Sequence, residues 1–361
     1  MEFVGEGMEN SVLDTVVIGA GQAGLAASYH LAHRGLAPHR DFVTLDANDG
    51  PGGAWRHRWD SLTLGRAHGV HDLPGSPLGT PDPEEPASRV VARYYGDYER
   101  RFGLPVLRPL RVDAVSSRPD GLLEVAAGER RFATRSLINA TGTWDKPFWP
   151  AYPGRDSFAG RQLHTHDFVS AEEFAGQRVV VVGGGTSAVQ FLLQLDAAGA
   201  ATTWVTRRPP EWVVRPFDTE WGRAVEDRVR ARTERGLPPE SVVAATGIPL
   251  TPEYRAGIDA GVLVSAGPMS AVTPRGVRLA DGRLVEADAI LWATGFRHSL
   301  DHLAPLRLRE PGGGIRTDGV RAARDPRVFL VGYGASASTL GATRAGRDAA
   351  LAMLDALPRA A

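Results

Sequence analysis

Two α/β units, each a parallel sheet flanked by helices and the second inserted in the first, are predicted by three observations. The first is the stretch from Thr15 to Asp46. An apolar run, Thr15-Val16-Val17-Ile18, enters Gly19-Ala20-Gly21-Gln22-Ala23-Gly24. A helical pattern follows from Leu25 to His33, and a second apolar run, Phe42 to Leu45, ends on Asp46. The second observation is a near-copy. Arg178 to Val182 runs into Gly183-Gly184-Gly185-Thr186-Ser187-Ala188, then a helix over Val189 to Leu195 and a strand over Thr202 to Thr206, closed by Arg207 and Arg208. The third is the common sequel to each copy: a two-stranded excursion, then an apolar strand ending in Ala140-Thr141-Gly142 or Ala293-Thr294-Gly295.

Each residue type in the first copy has a mechanical reason. Gly19 allows the sharp turn out of the strand, Gly21 lets a pyrophosphate approach the backbone, and Gly24 lets the helix pack close to the sheet. The helix N-terminus offers unpaired N–H groups to phosphate, so Ala20, Gln22 and Ala23 belong to the same cradle. Asp46 stands 22 residues past Gly24, the spacing expected of an acid that accepts from ribose hydroxyls. The second copy reads G-x-G-x-x-A, and 19 residues after Ala188 it offers Arg207 instead of an acid. Arginine suits a 2′-phosphate through charge-assisted bonds, whereas an acid would repel it, which favours NADPH over NADH. The strand–turn–helix units are therefore two Rossmann-like dinucleotide-binding domains, the FAD/NAD(P)-binding fold.

Composition narrows the chemistry. With 361 residues the chain has room for two domains. A formal net charge of -1 gives no reason to expect nucleic acid or an anionic membrane as partner. Lys146 is the sole lysine and no G-x-x-x-x-G-K-[ST] loop occurs, which argues against a P-loop hydrolase. The absence of cysteine removes thiolate nucleophiles and a redox-active Cys pair. Met1 to Asn10 is polar and acidic, without the basic start of an export signal, and a cytoplasmic location is expected.

The remaining elements are taken in order. Gly52-Gly53-Ala54-Trp55 is a loop after the second strand, where glycines permit close backbone approach and Trp55 can pack on a planar ring. Leu73 to Pro86 is loop. Ser88 to Phe102 has helical spacing and stops at Gly103. Leu104 to Leu137 has strand periodicity, with a hairpin at Pro119-Asp120-Gly121. Pro147, Pro150 and Pro153 mark a linker. Asp218 to Gly236 reads as a charged, exposed helix, and Asp281-Gly282 as a second hairpin. A last strand, Val328 to Val331, has no glycine turn before it and is expected to return to the first domain. A small-residue helix closes the chain over Thr339 to Leu357.

Between the two copies lies Phe158-Ala159-Gly160-Arg161-Gln162-Leu163-His164-Thr165-His166-Asp167-Phe168. It matches F-x-G-x-x-x-H-x-x-x-[FYW], and with both glycine turns flanking it the chain resembles the flavin-containing monooxygenases and their YUCCA-like bacterial relatives. The resemblance implies FAD on residues 1–152 and 296–361, and NADPH on residues 153–295. It implies that Gly19, Gly21, Gly24 and Asp46 bind the ADP half of FAD, with Gly53, Trp55, Gly332 and Gly334 near the flavin. It places Gly183, Gly185, Thr186, Ser187, Ala188, Arg207 and Arg208 on NADPH. The two Ala-Thr-Gly turns and His164 would stand beside the cofactors. No metal is expected. His164 and His166 lack a further ligand at metal spacing.

The implied reaction is reduction of FAD by NADPH, capture of dioxygen as a C4a-hydroperoxyflavin, and transfer of one oxygen atom to a nitrogen or sulfur nucleophile. Relatives often carry an Asn shortly after the G-G-x-W segment. Leu62 to His68 has none, so Asp60, Arg66 and His68 stand as substitutes. A Baeyer–Villiger monooxygenase is the alternative, although Phe168 stands where such enzymes carry Trp. An NADPH oxidase or flavin reductase without substrate oxygenation is a third reading, and a nucleotide-binding non-enzyme ranks last. A small-molecule substrate and dioxygen are the expected partners, with the protein a monomer or homodimer.

Overall fold

The structure is a computed structural model that describes residues 11–67, 70–214, 219–239, 247–337 and 339–357. Met1–Asn10, His68 and Asp218, all singled out in the sequence, lie outside these residues. Contacts divide the chain into two compact units: residues 1–142, 223–240 and 298–361, and residues 143–222 and 241–297. The boundaries differ from those expected. Residues 143–152 and 296–297 pack with the second unit, and 223–240 pack with the first. The Pro-rich linker signal thus marks chain already committed to the second unit.

In the first unit, β1 (Val12–Ile18) leads through the glycine turn to α1 (Gln22–His33), then to β2 (Phe42–Leu45). Helix α2 (Ala87–Phe102) ends at Gly103, whose φ of 57° is the left-handed cap a glycine supplies without strain. Its Val90, Tyr94, Tyr98 stripe faces inward, and two of its tyrosines organise the preceding loop. Tyr94 accepts from Leu73 N at 2.7 Å, and Tyr98 donates to Pro74 O at 2.8 Å. Then come β3 (Val106–Leu107), the hairpin β4 (Ala114–Ser117) and β5 (Leu123–Ala127), and the long β6 (Arg130–Asn139). The predicted turn at Pro119-Asp120-Gly121 joins β4 to β5 antiparallel.

The second unit begins with β7 (Arg161–His164) and β8 (Arg178–Val182), followed by α3 (Thr186–Ala197) and β9 (Ala201–Val205). Next come β10 (Trp212–Val213), α4 (Thr219–Glu234), β11 (Ile248–Pro249) and α5 (Pro252–Asp259). Contacts assign the part of α4 from residue 223 onward to the first unit. A meander of β12 (Met269–Thr273), β13 (Gly276–Leu279) and β14 (Leu284–Glu286) precedes β15 (Ala289–Trp292). The parallel sheet runs β7-β15-β8-β9. The helix expected to be exposed over 218–236 buries Val229 and Thr233, a sign that a high charge content can still leave one inward stripe.

The chain returns to the first unit as β16 (Thr317–Asp318), β17 (Arg321–Ala322), β18 (Val328–Leu330) and α6 (Thr339–Ala356). Strand β18 lies parallel beside β6, in the order β16-β17-β18-β6-β1-β2-β3. With β4 and β5 this makes nine strands among the described residues. Both sheets carry helices at their parallel strands, as a doubly wound α/β fold requires. The core of the first sheet is aliphatic on one face (Val16, Val43, Leu137, Val328) and is covered on the other by α1 and α6 (Ala27, Leu31, Ala349, Met353).

The α1–α6 contact is close because both helices present small residues. A Cβ on Gly346 would lie 2.5 Å from Ala23 O and 3.0 Å from Ala26 Cβ. Gly346→Val therefore forces the helices apart. A stability loss of about 1–3 kcal/mol is expected from overpacking, read as a lower denaturant midpoint with an unchanged m-value.

Candidate functional site

The first glycine turn is defined by what its residues exclude. Gly19 has φ 100°, and a Cβ there would lie 2.5 Å from Ala140 O. A Cβ on Gly24 would lie 1.8 Å from Gly19 O. Both are impossible contacts, so these two positions hold α1 against the Ala-Thr-Gly end of β6. Gly21 differs: a Cβ there would come no closer than 4.0 Å, to Gly53 Cα, so the room its missing side chain leaves is not filled by protein. Gly53, at φ 54°, closes in from the loop, and its own Cβ would meet Gly21 Cα at 2.8 Å. Helix α1 starts at Gly21 with no side-chain cap and no acid in its first turn. Uncapped N–H groups beside an open glycine form the cradle an anionic pyrophosphate fits. Ala20 and Ala23 are buried behind it, and Gln22 sends its amide to Thr343 Oγ1 at 2.8 Å.

Around this turn three further segments converge. Trp55 packs against the cluster that holds Tyr94, Tyr95 and Tyr98. Arg58, which belongs to no motif recognisable in the sequence, lies 5.9 Å from the Trp55 ring centroid and 6.0 Å from that of Trp59. Burial lowers its guanidinium to about 10. Thr141 donates to Ser299 O at 2.6 Å and receives Asn139 Nδ2 at 3.1 Å. Asn139 Oδ1 in turn meets His302 Nε2 at 2.6 Å. Gly142, at φ 61°, accepts from Ser299 N at 3.0 Å. Gly332 and Gly334 have φ of 71° and 63°. Between them Tyr333 is buried, its hydroxyl accepting from Ile315 N at 2.8 Å and its ring centroid 4.8 Å from that of His298. Burial holds both His298 and His302 down to about 4, so both are neutral near pH 7.

The candidates Asp60 and Arg66 are not brought together as a pair. Asp60 pairs with Arg89 at 2.6 Å, the two side chains 65% and 64% exposed. Arg66 is exposed at the end of the short turn Leu64–Arg66. Asp46 is 4% exposed, and its carboxylate is held by Asn48 and Arg108.

The second unit repeats the same exclusion. Gly183, at φ 151°, would place a Cβ 2.1 Å from Ala293 O. Ala293 N donates to Val182 O at 2.8 Å, as Ala140 N does to Ile18 O at 2.7 Å in the first unit. Gly184 faces open space. Gly185 starts α3 without a side-chain cap, Thr186 is half-buried, Ser187 is exposed and Ala188 is buried. Trp204, which the sequence marks only as a strand residue, donates its indole N–H to Gly183 O at 2.6 Å and so fixes the turn. Arg207 and Arg208 are exposed, with no ion pair among the described residues. Thr206 beneath them bonds Ser265 at 2.7 Å, which anchors the strand end that carries them.

The fingerprint residues are packing devices in this unit. A Cβ on Gly160 would meet Asp288 O at 2.4 Å. Phe168 packs on Phe191, ring centroids 4.4 Å apart. His164 is fully buried, with Nδ1 receiving His166 N–H at 3.0 Å. Its Nε2 therefore carries the proton and donates to Gly295 O at 3.0 Å. Burial holds it down to about 4, against the bond to Gly295. Gly295 O also accepts from Phe148 N at 2.9 Å, and Thr294 donates to Phe148 O. His164 thus holds the second Ala-Thr-Gly turn from beneath.

A family model described as pyridine nucleotide-disulphide oxidoreductase matches residues 16–238. Over 96% of its length the chain is 37% identical to a flavin-containing monooxygenase from Stenotrophomonas maltophilia, covering 99% of that chain with a TM-score of 0.80. The chain belongs to the flavin-containing monooxygenase family. This places it among flavin-dependent oxidoreductases of the wider pyridine nucleotide-disulphide group, without the cysteine pair that names the group. It is also 29% identical to indole-3-pyruvate monooxygenase YUCCA1 of Oryza sativa subsp. japonica, over 90% of this chain and 86% of that protein. An open crystal structure of cyclohexanone monooxygenase, 22% identical, shares the fold at a TM-score of 0.64 over 95% of this chain and 88% of that one.

Three histidines, His164 and His302 buried and His298 half-buried, set an acid limit. Each has a folded value of about 4 against an ordinary 6.5. Between those values the unfolded chain binds more protons, so their contribution is complete above pH 6.5 and is lost as pH falls through 4. Thermal melts should decline across this window, each histidine adding a slope of up to about 1.4 kcal/mol per pH unit. His302→Asn, which cannot titrate, should show a shallower decline than the parent. Parallel curves would contradict the assignment.

Proposed function

We propose that the first unit holds FAD and the second NADPH, and that the enzyme passes one oxygen atom of dioxygen to a nitrogen or sulfur centre of a small organic substrate. One observation carries the cofactor assignment. Two turns, each with its first glycine pressed on an alanine carbonyl and each leading into an uncapped helix, end their second strands on opposite charges, Asp46 in one and Arg207-Arg208 in the other. When bound, FAD supplies hydride acceptance and oxygen activation, so that NADPH, a proton, dioxygen and substrate give NADP⁺, water and oxygenated product. The chain's own part is positional. Gly21 and the first N–H groups of α1 would hold the pyrophosphate. Thr141, Gly142, Gly332 and Gly334 shape the backbone about the flavin, Trp55 and Trp59 would keep water from it, and Arg207 with Arg208 would take the 2′-phosphate. His68, outside the described residues, remains a proposed contributor.

The heteroatom reading rests on the family resemblance and on Phe168. A second reading, oxygen insertion beside a carbonyl, is supported by the likeness to an enzyme named for indole-3-pyruvate, a 2-oxo acid. A panel of thioethers, amines, ketones and 2-oxo acids, assayed for NADPH consumption, peroxide release and labelled oxygen in the product, separates the two. Stoichiometric peroxide with every substrate would sink both and leave an oxidase. Arg207→Ala should raise KM for NADPH by about tenfold or more, the loss of one charge-assisted bond, and leave KM for NADH nearly unchanged. Equal effects on both would refute the 2′-phosphate role.

A further inference from the structure

Asp46 stands in a cluster that the glycine motif does not contain. Its Oδ1 accepts from Asn48 N and Asn48 Nδ2, both at 3.1 Å. Its Oδ2 accepts from Arg108 Nε at 3.0 Å, with Arg108 Nη2 also 3.0 Å away. The far side of Arg108 is gripped by Glu99 on α2, with Nη1 to Oε2 at 2.6 Å and Nη2 to Oε1 at 2.8 Å. Side-chain exposures are 5% for Asp46, 11% for Arg108 and 13% for Glu99. Asn48 Oδ1 continues the chain to His57 Nε2 at 2.7 Å, at the end of the turn that carries Gly53 and Trp55.

A carboxylate this buried cannot choose its rotamer by solvation, so its neighbours choose for it. A planar guanidinium with one edge on each of two carboxylates has a fixed orientation, which a flexible ammonium would lack. Two carboxylates against one guanidinium leave the cluster one negative charge in excess, a surplus that hydroxyl donors relieve and a phosphate aggravates. We propose that Arg108, clamped by Glu99, is a positioning residue that holds the Asp46 carboxylate aimed for the adenosine ribose of FAD. This rests on the assignment of FAD to the first unit. Glu99 also cancels Arg108 as an anion site, which would otherwise invite a 2′-phosphate into the wrong turn.

The test is titration of deflavinated full-length protein with FAD and, separately, with FMN, which lacks the adenosine ribose. In Glu99→Gln and Arg108→Lys, FAD affinity should fall about tenfold, the loss expected from a disturbed charge-assisted bond, with FMN affinity unchanged. Asp46→Asn should weaken FAD similarly, and combining it with Glu99→Gln should add little, because both act through one carboxylate. Should the single variants not fold, Glu99→Leu with Arg108→Met replaces the pair by apolar volume, a change that buried ion pairs tolerate, and should show the same FAD-selective loss. Variants within twofold of the parent for FAD, or an equal loss for FAD and FMN, would overturn the proposal. A parent protein that binds no FAD would instead overturn the cofactor assignment beneath it, before any variant is made.

Discussion

The fold depends on one steric fact met twice. The first glycine of each turn lies against the carbonyl of an alanine more than a hundred residues further along the chain, Gly19 on Ala140 and Gly183 on Ala293, at distances no Cβ could share. Each contact brings a helix N-terminus, a strand end and an Ala-Thr-Gly turn to one place. Everything assigned to cofactor binding is arranged around that meeting point. A methyl group at either glycine would part the backbone that forms the cradle.

The two turns diverge in how they are supported. In the first, Gly53 presses on Gly21 from a loop, and the C-terminal helix covers α1 from the other side. In the second, a tryptophan indole holds Gly183 O and a buried histidine holds Gly295 O. Buried neutral imidazoles do similar work in both units, His302 on Asn139 and His164 on Gly295. They are useful there because one ring can donate from one nitrogen while the other accepts, and burial keeps the ring uncharged. The fingerprint between the turns is, on this geometry, a set of packing requirements: a glycine against a carbonyl, a histidine under a turn and an aromatic ring in a core.

Much of this was legible in the sequence because it depends on local rules. Glycine spacing, apolar runs, the hairpin at Asp120-Gly121 and the cap at Gly103 each report a backbone conformation that few other residues adopt. The return of Val328–Leu330 to the first sheet could be inferred from the lack of a third turn. Other groups have no local signal. Nothing adjacent to Trp204 in sequence shows that its indole reaches Gly183, 21 residues away. Nothing near Asp46 shows that Arg108 and Glu99 surround it. The part of α4 after residue 222 was expected with the second unit because it lies within that unit's stretch of sequence, yet its contacts lie with the first.

Residue type at fixed spacing was therefore enough for the fold class, the two glycine turns and the charge that closes each. Packing was needed to show which groups hold those turns in place and which candidates stand apart. Asp60 and Arg66 are near in sequence but exposed, and Asp60 is taken by Arg89 on another element. Asp46, Arg108 and Glu99 are distant in sequence but share one buried site. Hydrogen bonds and ion pairs form by distance in space, and only the packed chain sets that distance.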